Sequence, residues 1–330
     1  MMFSRAAPVA LFTAFCISVA AAYVTEGRKP LTRPGAMTDA QLAALDIYYE
    51  EMRRVLQVGD TAGFEGLISS QYMSMETGGA VKIKPDILPP PYEDLRDLLS
   101  DGSVASVKAL LDANPGLDLN SPQGRHGAVP LIWATGHPDF MPQMVAALLE
   151  QGADPRFQTA HGYTLLHAMA SPFNYQSSTK DVQDTLALLP PDILPMAARN
   201  GLTALHLALI NAQTPQATSL LAQGADPNAP TPVMGTDETF PGQPPLMIAG
   251  GDFRVVQALL AAGADPLATD AKGRSVLDAV TEGARVAELD LQERLSASAA
   301  EESDRAYAAD YARARDMIRA AVDGRLARGE

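Results

Sequence analysis

The amino-acid sequence predicts an all-α protein built from stacked helix pairs, and three observations lead there. Of 330 residues, 47% are hydrophobic but only 6% aromatic, while glycine and proline each number 25. That mix suits short helices packed through small side chains and separated by turns, whereas a large sheet would need more β-branched and aromatic residues. A tetrapeptide recurs three times, as Gly152-Ala153-Asp154-Pro155, Gly224-Ala225-Asp226-Pro227 and Gly263-Ala264-Asp265-Pro266. A second motif recurs upstream of these endings, clearest as Gly201-Leu202-Thr203-Ala204-Leu205-His206-Leu207-Ala208.

The ending has a direct physical reading. The pairs Leu148-Leu149, Leu220-Leu221 and Leu259-Leu260 each precede a tetrapeptide by two residues. A leucine pair seats the end of a helix in the core, glycine takes the left-handed conformation beyond it, and Asp-Pro stops further helix. Asp154, Asp226 and Asp265 are therefore expected to be structural turn residues.

The start is also readable. Gly162-Tyr163-Thr164-Leu165-Leu166-His167 is a second good copy; Gly127 to Ala134 and Gly242 to Ala249 are divergent ones, and Gly273 opens a fifth. Glycine permits the preceding turn, Thr or Ser caps the helix, and proline is tolerated in the first turn. Successive starting glycines stand 35, 39, 41 and 31 residues apart.

These residues resemble the ankyrin repeat, with its G-x-T-P-L-H-x-A opening, its G-A-D ending and its period of about 33 residues. The resemblance covers residues 92–282. It implies an ankyrin-repeat α-solenoid of helix pairs with β-turn fingers and helical caps at both ends. It also implies that Thr164, His167, Thr203 and His206 are structural, the imidazoles tying neighbouring loops together. The third copy is irregular, with Pro172 to Lys180 lengthening its inter-helix loop and Leu188-Leu189-Pro190-Pro191-Asp192 replacing the usual ending. The fifth has a shortened first helix. Residues 39–91 read as a helical N-terminal cap with a Pro-rich connector, and residues 283–330 as C-terminal capping helices, each repeat needing neighbours to bury its faces.

The N-terminus points to export. Arg5 precedes an uncharged run over residues 6–22 that ends in small side chains, the pattern of a signal peptide cut after Ala22. Residues 23–38 then form a flexible mature start. The expected location is periplasmic or secreted, with an uncleaved inner-membrane anchor as the alternative. The one cysteine, Cys16, lies inside this run.

Function follows by exclusion and by resemblance. A formal net charge of −14 disfavours nucleic acid and anionic lipid surfaces and favours solubility or basic partners. His126, His137 and His161 fall in turns, and no histidine forms a metal-binding spacing. Serine-nucleophile and phosphate-loop motifs are missing too. The expectation is a monomeric, non-enzymatic protein without cofactor or metal that binds another protein. The alternative is a small enzymatic activity in residues 39–91. Bacterial ankyrin proteins serve in stress defence or as immunity proteins, and partners bind the concave face and fingers. By position, the loops over residues 121–127, 156–161, 229–242 and 267–272 are the expected contacts. The partner-binding candidates are Arg125, His126, Trp133, Arg156, His161, Met234, Phe240 and Lys272. The long third loop, with Met234 and Phe240, is the leading one.

Overall fold

A computed structural model describes residues 51, 54–55, 57–58, 88–124, 126–136, 141–171, 177–232, 242–296 and 301–329. The export run, the mature start, most of the expected N-terminal cap, and Arg125, His137, Met234 and Phe240 lie outside the described residues. The fold is all-α: among the described residues there is no strand, only isolated bridges at Gln123–Ala128 and Thr269–Ser275. No described helix is long and apolar enough to cross a membrane. The chain divides into two compact units, Met1–Arg199 and Asn200–Glu330.

In the first unit, α1 (Tyr92–Asp101) and α2 (Val104–Ala113) form the first helix pair. Gly102, at φ 75°, makes the reversal between them, a conformation that costs glycine little. Next come α3 (Pro130–Trp133), which runs on into a 3-10 turn over Ala134–Gly136, and α4 (Met141–Glu150). The third pair is α5 (Leu165–Met169) and α6 (Thr179–Ala187). Helices α1, α3 and α5 pack in one row, and α2, α4 and α6 in another. The leucines and methionines between the rows are the core; Leu95, Leu99, Met144 and Leu148 are fully buried. Each such side chain contributes about 1.5–3 kcal/mol of burial free energy.

The second unit repeats the plan with α7 (Ala204–Ile210), α8 (Thr214–Ala222), α9 (Pro245–Ala249) and α10 (Phe253–Ala261). It closes with two long helices, α11 (Val276–Ser296) and α12 (Glu302–Ala327). Here α7, α9 and α11 form one row, and α8, α10 and α12 the other. The terminal helices are thus one more helix pair, elongated. The expected boundary at residues 282/283 is corrected by this: it falls inside α11, because no left-handed glycine or proline interrupts the sequence there.

The docking of α12 depends on missing side chains. Tyr311 lies against Gly251 of the α9–α10 turn and Gly283 of α11. A Cβ at Gly251 would stand 2.1 Å from Tyr311 Cε2, and one at Gly283 would stand 2.6 Å from Tyr311 Cε1. Nearby, the guanidiniums of Arg254 and Arg313 lie 5.7 and 5.3 Å from the Phe253 ring centroid. Burial, the nearby Tyr307 and a hydrogen bond with it push the Tyr311 phenol well above its ordinary value.

Candidate binding surface

Three of the fingers are hairpins closed by one hydrogen-bonding scheme. The Thr159 N–H donates to the Tyr163 carbonyl at 2.9 Å, and the Tyr163 N–H returns to Thr159 Oγ1 at 3.1 Å. In the last finger, the Asp270 N–H donates to the Arg274 carbonyl at 3.0 Å, and the Arg274 N–H donates to Asp270 Oδ1 at 2.9 Å. Between them in sequence, the Thr231 N–H donates to the Gln243 carbonyl at 3.0 Å, and the Gln243 N–H donates to Thr231 Oγ1 at 2.8 Å. The same base therefore closes a longer finger, its base residues 12 apart instead of 4, with residues 233–241 between them. A short polar side chain at the first position is what the scheme requires.

The helix starts bind these fingers in place. Thr203 and Thr164 each begin a helix whose third residue is a histidine. His206 Nδ1 accepts the Thr203 N–H at 3.0 Å, and its Nε2–H donates to the Ala229 carbonyl at 2.8 Å. The imidazole thereby joins the start of α7 to the base of the long finger and is held as the Nε2–H tautomer. Burial lowers the His206 pKa, against the opposing effects of the Ala229 carbonyl and Asp226. His167 Nδ1 likewise accepts the Thr164 N–H at 3.1 Å. Its ring stacks on Tyr163 with centroids 5.1 Å apart, and burial pushes the Tyr163 phenol up to about 12.

The turn aspartates cap their own turns. Asp154, Asp226 and Asp265 accept the N–H two residues on, at 2.8, 2.8 and 3.0 Å. An asparagine then links each turn to the next. Asn228 Nδ2 donates to the Gly263 carbonyl at 3.0 Å, and its Oδ1 accepts the Asp265 N–H at 2.7 Å. Asn120 does the same with Gly152 and Asp154, at 3.0 and 2.7 Å.

Several expected contact residues are placed elsewhere by the structure. Trp133 is corrected: only 9% exposed, it belongs to the core beneath the helix start. His126 is corrected as well: its side chain is 8% exposed and its Nε2 lies 2.9 Å from Glu51 Oε1. Arg156 is exposed but pairs with Asp192 through two hydrogen bonds of 2.9 and 3.0 Å. His161 is half-buried, its carbonyl accepting the Arg199 N–H at 2.9 Å, so it braces its finger. Lys272 is exposed at the tip of the last finger, its N–H donating to Asp270 Oδ1 at 2.9 Å.

The sequence reading missed Asp270, whose side chain is only 3% exposed. Burial works against its charge, yet the N–H groups of Arg274 and Lys272 and the Arg274 guanidinium outweigh that and hold the carboxyl below its ordinary value. Residues 51–58 fall in the expected helical N-terminal cap, and their described members are helical; which groups they touch was not legible. Besides the Glu51–His126 contact, Gln57 Nε2 donates to Thr135 Oγ1 at 3.0 Å, and Thr159 Oγ1 donates to the Val58 carbonyl at 2.8 Å. Val55 and Val58 are buried with them. These described residues thus lie against two fingers and the turn that follows α3 in the first unit.

Short helix pairs, glycine-ended turns and hydrogen-bonded fingers define a helical repeat protein. Residues 200–232 and 242–271 match the ankyrin-repeat family model, and the chain carries ankyrin repeats. Ankyrin repeats are protein–protein interaction modules. No curated protein matches the chain. Among solved structures, the ankyrin repeat domain of Bcl-3, a member of the IkappaB protein family, is similar at 20% identity and a TM-score of 0.45, over 69% of this chain and 92% of that one. An ankyrin repeat domain from Acinetobacter baumannii AYE is similar at 20% identity and a TM-score of 0.44, over 68% and 98%.

Proposed function

We propose that this chain is an exported, non-enzymatic scaffold that captures a partner protein on the long finger of its second unit. The observation that carries this reading is the closed base at Thr231 and Gln243. The matched repeats stop at residue 232 and resume at 242, so residues 233–241 are additional to the repeat. The fold closes without them, and their sequence supplies Met234 and Phe240, apolar groups that a turn does not need. Lys272 on the adjoining finger and the first helices complete the contact surface. The net charge of −14 favours a partner with a basic face.

Export rests on the run over residues 6–22, and the periplasm is the compartment this reading assigns. Cell fractionation with mass measurement of the mature chain checks it: a periplasmic species beginning at Tyr23 supports the assignment, and a membrane-bound species retaining residues 1–22 supports an anchored scaffold. Partner capture is tested by comparing proteins retained from periplasmic extract by the intact chain and by a chain lacking residues 233–241. A protein retained by the first and lost by the second is expected; equal retention contradicts the finger assignment.

A further inference from the structure

The fingers of the first unit carry a helix supplied by the chain itself. Residues 51, 54, 55, 57 and 58 are helical, and Glu51, Val55, Gln57 and Val58 are buried. Glu51, Val55 and Val58 stand at i, i+4 and i+7, which is one face of a helix. Glu51, Gln57 and Val58 each find a partner on the repeats. Glu51 Oε1 meets His126 Nε2 at 2.9 Å in the finger before α3. Gln57 Nε2 donates to Thr135 Oγ1 at 3.0 Å, and that hydroxyl donates on to the Ile132 carbonyl at 2.9 Å. The Val58 carbonyl accepts the Thr159 hydroxyl at 2.8 Å in the finger before α5. Thr159 Oγ1 already accepts the Tyr163 N–H, so its proton is what it has left to offer. Gly59-Asp60, residue types that end helices, follow Val58 in the sequence. Carbonyls of a helix's last turn lack intrahelical donors, and here the finger supplies one.

The position of this helix breaks the order of the stack. A repeat packs on its neighbours in sequence, so a further repeat ahead of α1 would rest on α1 and α2. These bonds instead reach past that pair, across 75, 78 and 101 residues, to the second and third helix pairs. The groups that receive them, His126, Thr135 and Thr159, are polar and can be rehydrated when the helix leaves, unlike an apolar seam.

We infer that two fingers and the α3 turn of the first unit form a docking surface for an amphipathic helix, and that residues 51–58 hold this surface as a displaceable internal occupant. The partner that replaces them is a helix of the same pattern: a carboxylate, apolar groups of valine size four and seven residues on, and an amide six residues on. Its carboxylate takes the His126 N–H, its amide the Thr135 oxygen, and its end carbonyl the Thr159 hydroxyl. Joined to Leu88 through residues 59–87, the internal helix acts at an effective concentration of about a millimolar and holds off weaker ligands. This surface is separate from the long finger of the second unit and does not depend on it.

The test titrates a fluorescein-labelled peptide of residues 42–60 into three full-length chains, followed by anisotropy. The chains are the parent, Val55→Asp/Val58→Asp, and the milder Glu51→Ala/Gln57→Ala. Both variants should bind the peptide at least about tenfold more tightly than the parent, because their own helix no longer holds the surface. Circular dichroism and thermal unfolding should show both still folding cooperatively; if one does not, the other decides. The same peptide with Glu51→Ala should bind the variants about tenfold more weakly. An alanine-based helix carrying only Glu, Val, Gln and Val at the stated spacing should displace the labelled peptide, and its failure to do so overturns the partner pattern. The docking surface is overturned if the parent binds as tightly as the variants or if a folded variant binds nothing. Loss of cooperative folding in both variants also overturns it, since residues 51–58 would then be part of the fold and not an occupant.

Discussion

Arg156 and Asp192 form a two-pronged ion pair at the place where the asparagine link between turns changes character. Arg156 stands two residues after its turn aspartate, as Asn120 and Asn228 do after theirs. The turn it faces carries Pro190-Pro191-Asp192 in place of Gly-Ala-Asp. A guanidinium only donates, so it cannot accept a backbone N–H as asparagine does, and it binds the aspartate carboxylate instead. The repeat keeps its turn-to-turn link with different chemistry.

The asparagine link should be measurable. Asn228→Ala removes one donor and one acceptor bond and is expected to lower unfolding free energy by about 1–2 kcal/mol. Denaturant unfolding checks this, with Asn228→Asp as a partial variant that keeps the acceptor for the Asp265 N–H and loses the donor to Gly263.

The close approach of Tyr311 to Gly251 predicts a strongly coupled pair. Gly251→Ala places a methyl inside the ring's space and should destabilise the second unit by about 1–3 kcal/mol. Tyr311→Ala alone should also destabilise, through lost burial. The double variant should cost clearly less than the sum of the two, because the added methyl then meets no ring. Additive losses in thermal unfolding would remove the slot from the account.

How much of this was legible beforehand differs by element. The turn glycines, the Thr–His helix starts and the turn aspartates act locally, so residue type and spacing announced them. Gly152, Gly224 and Gly263 take φ of 90°, 97° and 92°, as an ending glycine must. The Tyr311 slot was not legible, since its glycines belong to two elements and matter only once α12 crosses them. Gly283 inside a helix was a usable hint of close approach, and it was passed over. Trp133 and His126 were misplaced for a related reason: surface or core is decided by long-range partners, and for His126 that partner is Glu51, 75 residues away.

His206 gives the stability a pH dependence. Its folded pKa lies below the ordinary 6.5, so as pH falls through 6.5 the unfolded chain takes the proton first. This contribution to stability is whole above 6.5 and declines below it, toward the folded pKa. Unfolding free energies at several pH values between 7.5 and 5.5 should show a smaller acid loss in His206→Gln than in the parent chain. Parallel profiles would mean that His206 is not the titrating group.

The buried position of Trp133 predicts a simple optical result. It is the only tryptophan, so its fluorescence reports one site. Emission should be blue-shifted in the folded chain, and partner binding should leave it unchanged. A red-shifted native spectrum would contradict its place in the core.

The central claim is that the long finger holds the partner, and site-specific photo-crosslinking tests it most directly. A photoreactive residue replacing Met234 or Phe240 is expected to give a covalent product with the captured protein, while one replacing exposed Lys108 on α2 gives none. Crosslinking from Lys108 with none from either finger position would contradict the account.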